Sequence, residues 1–302
     1  MPNVHSVKPQ KHEYTKEMID ELYKCQKNPL YFAENYAYIV HPEKGRIKIE
    51  LRDYQRKFID TIHNNRKTVC LASRQIGKTT SASIYLLWFA LFNSHKTIAI
   101  AANVDRTAKS ILDDIRLIYD NLPSWMKIES VENNAHTLSF INGSKIFAFP
   151  TSPAGISGES ISILYLDEVA KIDPPTLADD FWKNNLPTIS HGEKIIVTST
   201  PKGIGNLFYR VWKGAQDKEN GFVPIRIDWW ECPEYNVPGW KENKIKELGS
   251  LVAFNSEYGN QFIGSQSTVI NAEALKKLQV SDPDIENDIH GGTEKIWGEF
   301  NP

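Results

Sequence analysis

Two short segments carry residue types whose spacing suits phosphate chemistry. The first is Ala72-Ser73-Arg74-Gln75-Ile76-Gly77-Lys78-Thr79-Thr80, which follows an apolar run at 67–72 and opens a helical pattern from about Lys78 to Phe92. A strand–turn–helix setting is what a phosphate-binding loop requires. Gly77 lets the backbone turn so that successive N–H groups converge on phosphate oxygens, and the helix N-terminus adds partial positive charge. Lys78 would reach the β- and γ-phosphates, and the Thr79 hydroxyl would hold Mg²⁺. Ala72 stands where such loops usually begin with Gly, so the competing reading is a chance Gly-Lys-Thr-Thr at a helix start. The second segment, Ile161 to Glu168 (ISILYLDE), is an apolar strand ending in two carboxylates. Ligands bind at that edge of an open parallel sheet. Asp167 is placed to bind Mg²⁺ through its water shell, and Glu168 to poise an attacking water as general base. Together the two segments imply a hydrolytic NTPase.

Other residues join this set with less specific signals. In Leu51-Arg52-Asp53-Tyr54-Gln55-Arg56, the Gln55 amide can both donate and accept, which matches the N6/N7 edge of adenine, and Tyr54 could lie against the base. The competing reading is the exposed face of an ordinary helix. Arg74, inside the loop, either stabilises charge on the γ-phosphoryl group or pairs with an acidic neighbour. Thr198-Ser199-Thr200 ends a strand next in sequence to the Asp-Glu strand, where hydroxyls could bond the γ-phosphate or Glu168, or form an ST-turn before Pro201.

The elements that must hold these residues alternate in type. Apolar runs at 67–72, 97–101, 161–166 and 194–197 read as buried strands. Helical patterns run over 15–36 with a break at Asn28-Pro29, over 52–63, over 78–92, and from an expected Asn103 N-cap to a stop at Pro123. Asn142-Gly143 joins two strands as a hairpin, and His41–Gly45 reads as a loop. The alternation implies a mostly parallel α/β sheet covered by helices on both faces. After Gly214 a strand at 223–228, an aromatic run from Trp229 to Trp240 and helices at 241–248 and 251–262 follow. The 302 residues carry 35 Lys+Arg against 37 Asp+Glu, and 41% are hydrophobic, which excludes a largely disordered chain and histone-like polycation chemistry. Cys25, Cys70 and Cys232 are odd in number and lack C-x-x-C spacing, which argues against a disulfide framework or zinc ribbon and suits a reducing compartment. No signal peptide is legible, and the longest apolar stretch falls far short of the roughly 20 residues of a membrane span.

Taken together, NPLYFAENY (28–36), LRDYQR (51–56), SRQIGKTT (73–80), LYLDEVA (164–170) and TSTPKG (198–203) resemble the large terminase subunit of tailed phages, most closely its myovirus branch. DWWECPEYN (228–236) and FNSEYGNQF (254–262) look like its later landmarks. The resemblance implies a P-loop NTPase fold of the RecA-like, ASCE type and an ATPase that drives viral DNA into procapsids. By carry-over Gln55, with Arg52 and Tyr54, would read adenine. The loop Ser73, Arg74, Gln75, Ile76, Gly77, Lys78, Thr79 and Thr80 would hold ATP. Thr79 and Asp167 would serve Mg²⁺, Glu168 would be the Walker B base and Arg74 a finger in cis. Thr198, Ser199 and Thr200 would be the coupling motif, with Ser199 replacing a more usual Thr.

Where the family often carries Arg-Gly before the Walker B strand this chain has Ser157-Gly158, so that loop is expected to make no ATP contact. The chain reaches Pro302 where the family would begin its nuclease, and Asp282, Asp284, Glu286 and Asp288 read as solvated charge, so no nuclease activity is expected. The expected organisation is an N-terminal helical arm at 1–48 belonging to a small, mainly helical subdomain, an ATPase core at 49–215, the rest of that subdomain at 216–264, and a linker at 265–302. Expected partners are double-stranded DNA, the portal protein, the small terminase subunit and further copies in a ring, without a membrane. The setting is the host cytoplasm and the procapsid portal vertex. A two-core helicase or translocase is disfavoured by the single phosphate loop, and a nucleotide-gated binding module by the intact Glu168. Lys202, Arg210, Lys213, Lys241, Lys244 and Lys246 are scattered, and a solvated helix face explains most of them.

Overall fold

The computed structural model describes residues 13–264 apart from 42, 44, 153–155, 157–159 and 191–193, with backbone alone at 186–190. The Ser157-Gly158 loop, the 282–288 carboxylates and the 265–302 linker expectation lie outside the described residues. The chain through Ile263 is one compact unit.

Helices α1 (Lys16–Lys27) and α2 (Pro29–Tyr36) are separated at Asn28, whose side chain accepts from the N–H groups of Leu30 and Tyr31 and so caps α2, with Pro29 at the first helical position. The loop expected at 41–45 joins β1 (Tyr38–His41) and β2 (Gly45–Lys48), a hairpin whose strands the pattern reading leaves unassigned. Then come α3 (Asp53–Asn64), β3 (Lys67–Ala72), α4 (Lys78–Phe92), β4 (Thr97–Ala102), α5 (Asp105–Asp120), β5 (Ser130–Asn133), β6 (Thr137–Phe140), β7 (Lys145–Pro150) and β8 (Ile163–Asp167). The rest is α6 (Pro175–Ser190), β9 (Lys194–Ser199), α7 (Leu207–Gln216), β10 (Val223–Ile227), α8 (Trp240–Leu248) and α9 (Leu251–Glu257). The pattern reading leaves α6 and α7 unassigned. α7 buries Leu207, Phe208, Val211, Trp212 and Ala215, a stripe of helical period that the preceding Gly-rich turn obscures. Asn103 does not cap α5: Val104 occupies that position, and Asn103 Oδ1 is buried without a partner among the described residues.

The eight-stranded sheet has the order β10-β3-β9-β8-β4-β7-β6-β5, parallel from β10 to β7 and antiparallel beyond. Successive strand residues feed opposite faces. Cys70, Ile98, Ile100, Tyr165 and Ile196 join one core with α3, α4 and α5, while Leu71, Ala99, Leu164, Leu166 and Val197 join another with α6 and α7. α4 is buried continuously from Ser81 to Leu91, as a helix apolar on all sides must be.

Two expected groupings differ. The arm buries Cys25, Phe32 and Ala33 in the same core as α4, with Trp88 Nε1 donating to Cys25 O at 2.7 Å. β10, expected beyond a boundary at 215, pairs along its length with β3 and extends the main sheet. Apolar burial against α4 and backbone pairing with β3 decide both placements.

Candidate functional site

β3, β8 and β9 end side by side at the C-terminal edge of the sheet. β9 lies between the other two, with Thr198 opposite Cys70 on one side and Asp167 on the other. That register brings the expected residues together. Lys78 Nζ lies 2.5 Å from Glu168 Oε1 and 3.3 Å from Asp167 Oδ1. Thr79 Oγ1 donates to Asp167 Oδ2 at 3.0 Å, and Thr198 Oγ1 to Asp167 Oδ1 at 2.6 Å. The Thr198 hydroxyl has one proton, so the Tyr165 hydroxyl at 3.2 Å is the donor to it. Ser199 and Thr200 hydroxyls each lie 3.5 Å from Glu168 Oε2.

Burial pushes the Asp167 carboxyl up, but the Lys78 charge and the two hydroxyl bonds outweigh it and hold the group below the usual carboxylate range. Burial likewise opposes the Lys78 charge, and the attraction of Asp167 and Glu168 overcomes it, raising its pKa. Burial raises Tyr165 far above its usual value, so it stays a donor. Lys78 is therefore a fixed cation and Asp167 a fixed anion at neutral pH.

Glu168 has φ 53° and ψ 41°, a left-handed conformation uncommon outside Gly. The turn lets its carboxylate meet Lys78 while its own N–H donates to Asp167 Oδ1 at 3.1 Å. Held strain of this kind concentrates at functional sites. Gly77 has φ 77° and ends the loop at the α4 N-terminus; a Cβ there would collide with Gln55 Nε2. Gln55 Oε1 accepts from the Arg52 N–H at 3.0 Å, fixing the amide over the loop.

A cleft of about 950 Å³ opens beside the loop, lined by Arg52, Tyr54, Gln55, Gln75, Ile76, Gly77 and Thr80 together with Cys232, Glu234 and Tyr235. Its size suits a nucleoside. The residues from 232 to 235 carry no site signal of their own in the sequence, because they return to the cleft only through β10. Arg52 pairs with Glu234, and the Tyr235 hydroxyl donates to Gln75 O at 3.2 Å.

Two expected ligands are engaged elsewhere. Ser73 donates its N–H to Ile227 O and its hydroxyl to Tyr258 O at 2.6 Å, so it anchors the loop to the end of β10 and to the residue after α9 instead of offering donors to phosphate. The Arg74 side chain is 53% exposed and pairs with Glu257 of α9 at 3.0 Å, the acidic-neighbour alternative. Of the scattered cations, Arg210 pairs with Asp179, Lys213 with Asp217 and Lys244 with Glu247.

Thr79 and Asp167 present hard oxygen donors from two elements to one spot beside Lys78, a donor set that fits Mg²⁺ shared with a phosphate. No helix among the described residues is long and apolar enough to cross a membrane.

Residues 69–277 match the family described as the terminase large subunit, T4-like-virus type, N-terminal. Among solved structures, the HK97 bacteriophage large terminase is similar with TM-score 0.63 at 15% identity, over 78% of this chain and 55% of that one. The Thermus phage P74-26 large terminase ATPase domain is similar with TM-score 0.52 at 20% identity, over 71% of this chain and 100% of that one. A large terminase from a thermophilic bacteriophage, solved in complex with ADP, gives TM-score 0.55 at 13% identity, over 70% of this chain and 54% of that one. The chain thus spans about half the length of the large terminases it matches. With the match covering most of its length, the chain belongs to the N-terminal family of T4-like-type terminase large subunits.

Proposed function

We propose that this chain is the ATP-hydrolysing motor part of a terminase large subunit, powering translocation of double-stranded viral DNA into a procapsid. The observation that carries the reading is the meeting of Lys78, Thr79, Asp167, Glu168 and Thr198 at one sheet edge, joined by contacts of 2.5 to 3.3 Å. Family membership and the similarity to a terminase solved with ADP support it further.

In this reading the loop N–H groups and Lys78 take the triphosphate, and the base enters the cleft over Gln55. Thr79 and Asp167 would hold Mg²⁺, which would supply Lewis-acid neutralisation of phosphate charge. Glu168 orients and deprotonates the attacking water, and Lys78, which holds its carboxylate here, turns to phosphate when nucleotide enters. Arg74 leaves Glu257 to meet charge on the γ-phosphoryl group. Ser199 and Thr200 contact Glu168 and are the route by which its state reaches the chain after β9. The partners would be DNA, portal protein, small terminase subunit and ring neighbours, in the host cytoplasm and at the portal vertex.

The test is steady-state ATP turnover of the chain against Glu168→Gln, with and without double-stranded DNA. A fall of about 10²–10⁴ with nucleotide binding retained is expected for loss of the base. Equal rates in the two proteins, or no turnover in either, would refute the reading.

A further inference from the structure

A column of aromatic rings ends in the nucleoside cleft. Trp229, just after β10, stacks on Trp240 at the start of α8 with ring centroids 5.2 Å apart and planes 19° apart. Trp240 in turn stacks on Tyr235 at 4.4 Å and 16°. Phe254 and Tyr258 hold the column from the side, edge-on to Trp240 at 6.2 and 5.4 Å, and Tyr258 is edge-on to Tyr235 as well. Tyr235 is the end ring. Among the described residues Trp240 is the one ring stacked on it, and of the three it is the one that lines the cleft, with Gln55 and Gln75. All three rings are half-buried, so the column is not closed inside a core. The Tyr235 hydroxyl donates to Gln75 O at 3.2 Å, and burial pushes its pKa up to about 12, so the tie from ring to phosphate loop persists at neutral pH. Tyr54, also at the cleft, is 4% exposed and packed within the core, with little face to offer.

We propose that Tyr235 is the platform on which the nucleotide base stacks, the base becoming the fourth ring of the Trp229–Trp240–Tyr235 column. The assignment rests on the ATPase reading above and adds the residue that receives the face of the base, which that reading leaves open. Gln55 and Tyr235 act on different parts of the base: an amide bonds its edge in the plane, and a ring covers its face. Every base has a π-face, so Tyr235 supplies affinity for purine nucleotides in general, and the choice of adenine falls to Gln55. The platform is set before nucleotide arrives. Trp240 backs one face and the bond to Gln75 O fixes the hydroxyl end, so little ordering of the ring remains to oppose binding.

The experiment titrates the full chain calorimetrically with Mg-ATPγS and with Mg-tripolyphosphate, which has the phosphates and no base, for the wild type, Tyr235→Leu and Tyr235→Phe. Loss of the ring in Tyr235→Leu should weaken ATPγS about fivefold to a hundredfold and move tripolyphosphate less than about twofold. Tyr235→Phe keeps the ring and loses only the hydroxyl bond, so ATPγS should stay within about threefold of wild type. A merely structural role for Tyr235 predicts both ligands weakened alike in Tyr235→Leu. That result, an unchanged ATPγS affinity in Tyr235→Leu, or a Tyr235→Phe as weak as Tyr235→Leu overturns the platform alone. A second measurement needs no variant: Mg-ATPγS should quench the tryptophan emission of the wild type, through the base added to the column, and tripolyphosphate should leave it unchanged. Equal effects of the two ligands on that emission also overturn the platform. A wild type that binds neither ligand overturns the ATPase reading and this assignment with it.

Discussion

Replacing Lys78 by Ala withdraws the cation from two carboxylates that the fold keeps out of water. The Lys78 side chain is 10% exposed, Asp167 3% and Glu168 18%, with Lys78 contacts of 3.3 and 2.5 Å. Removing one partner of a buried pair costs about 3–5 kcal/mol. Thr79 and Thr198 still donate to Asp167, and Lys171 remains 3.7 Å from Glu168, so the lower end applies, about 3 kcal/mol. At about 2–4 °C per kcal/mol for a unit of this size, the melting temperature should fall by about 6–12 °C.

The pH dependence carries the sharper test. In the wild type the folded Asp167 pKa lies below its unfolded value, so its stabilisation is fully present above about pH 4 and is lost only as pH falls through the lower folded value. Between pH 8 and pH 5 Asp167 therefore contributes no slope. In Lys78→Ala burial acts with far less opposition, the folded pKa rises above the unfolded one, and the sign reverses: protonation on acidification then favours the folded variant. The deficit against wild type should narrow from pH 8 to pH 5. Adding Asp167→Asn to Lys78→Ala should recover part of the loss at pH 8. Circular-dichroism melts of the three proteins at both pH values measure this. A deficit equal at the two pH values, together with no recovery in the double variant, would refute the claim that these charges sustain one another.

Thr198→Val keeps the shape and deletes a 2.6 Å bond to an ionised carboxylate; urea unfolding should show a loss of about 1.5–3 kcal/mol. Gly77→Ala combines a φ of 77° with a Cβ driven into Gln55 Nε2, and should cost about 1–3 kcal/mol of stability along with most nucleotide affinity, read by melting and ATP titration. Thr200→Ala should leave ATP binding within about twofold and lower turnover about tenfold or more through Glu168; loss of binding would contradict the coupling role. Cys25, Cys70 and Cys232 are free and buried, and burial pushes Cys25 and Cys70 up to about 12, so a chromogenic disulfide at pH 8 should label the native chain slowly and all three thiols at once in denaturant.

The phosphate loop and the Asp-Glu pair were legible because their chemistry is local. A buried strand, a Gly that must turn and a Lys-Thr at a helix start are contiguous in sequence, and so is an apolar strand running into two carboxylates. The parallel sheet was legible for the same reason, through runs such as TIAIA and ISILYL that alternate with helical stripes. Thr198 sat at the right strand end, but its contact with Asp167 depends on β9 being inserted between β3 and β8, a matter of strand order that no local pattern encodes.

The remaining site residues come from distant chain. Glu234 reaches Arg52, and Tyr235 and Glu257 reach the loop, from more than 150 residues away, because β10 pairs with β3 and turns the following segment back across the sheet edge. The left-handed turn at Glu168 is invisible as well, since that residue type gives no sign of it and only packing over-determines the conformation. Residue type and adjacent spacing thus determined which groups are assigned to phosphate and which carboxylates are proposed to act on it. Whether Arg74 faces phosphate or Glu257, which wall closes the nucleoside cleft and what stands beside Glu168 were decided by tertiary structure, because those contacts depend on strand order and burial between segments far apart in the chain.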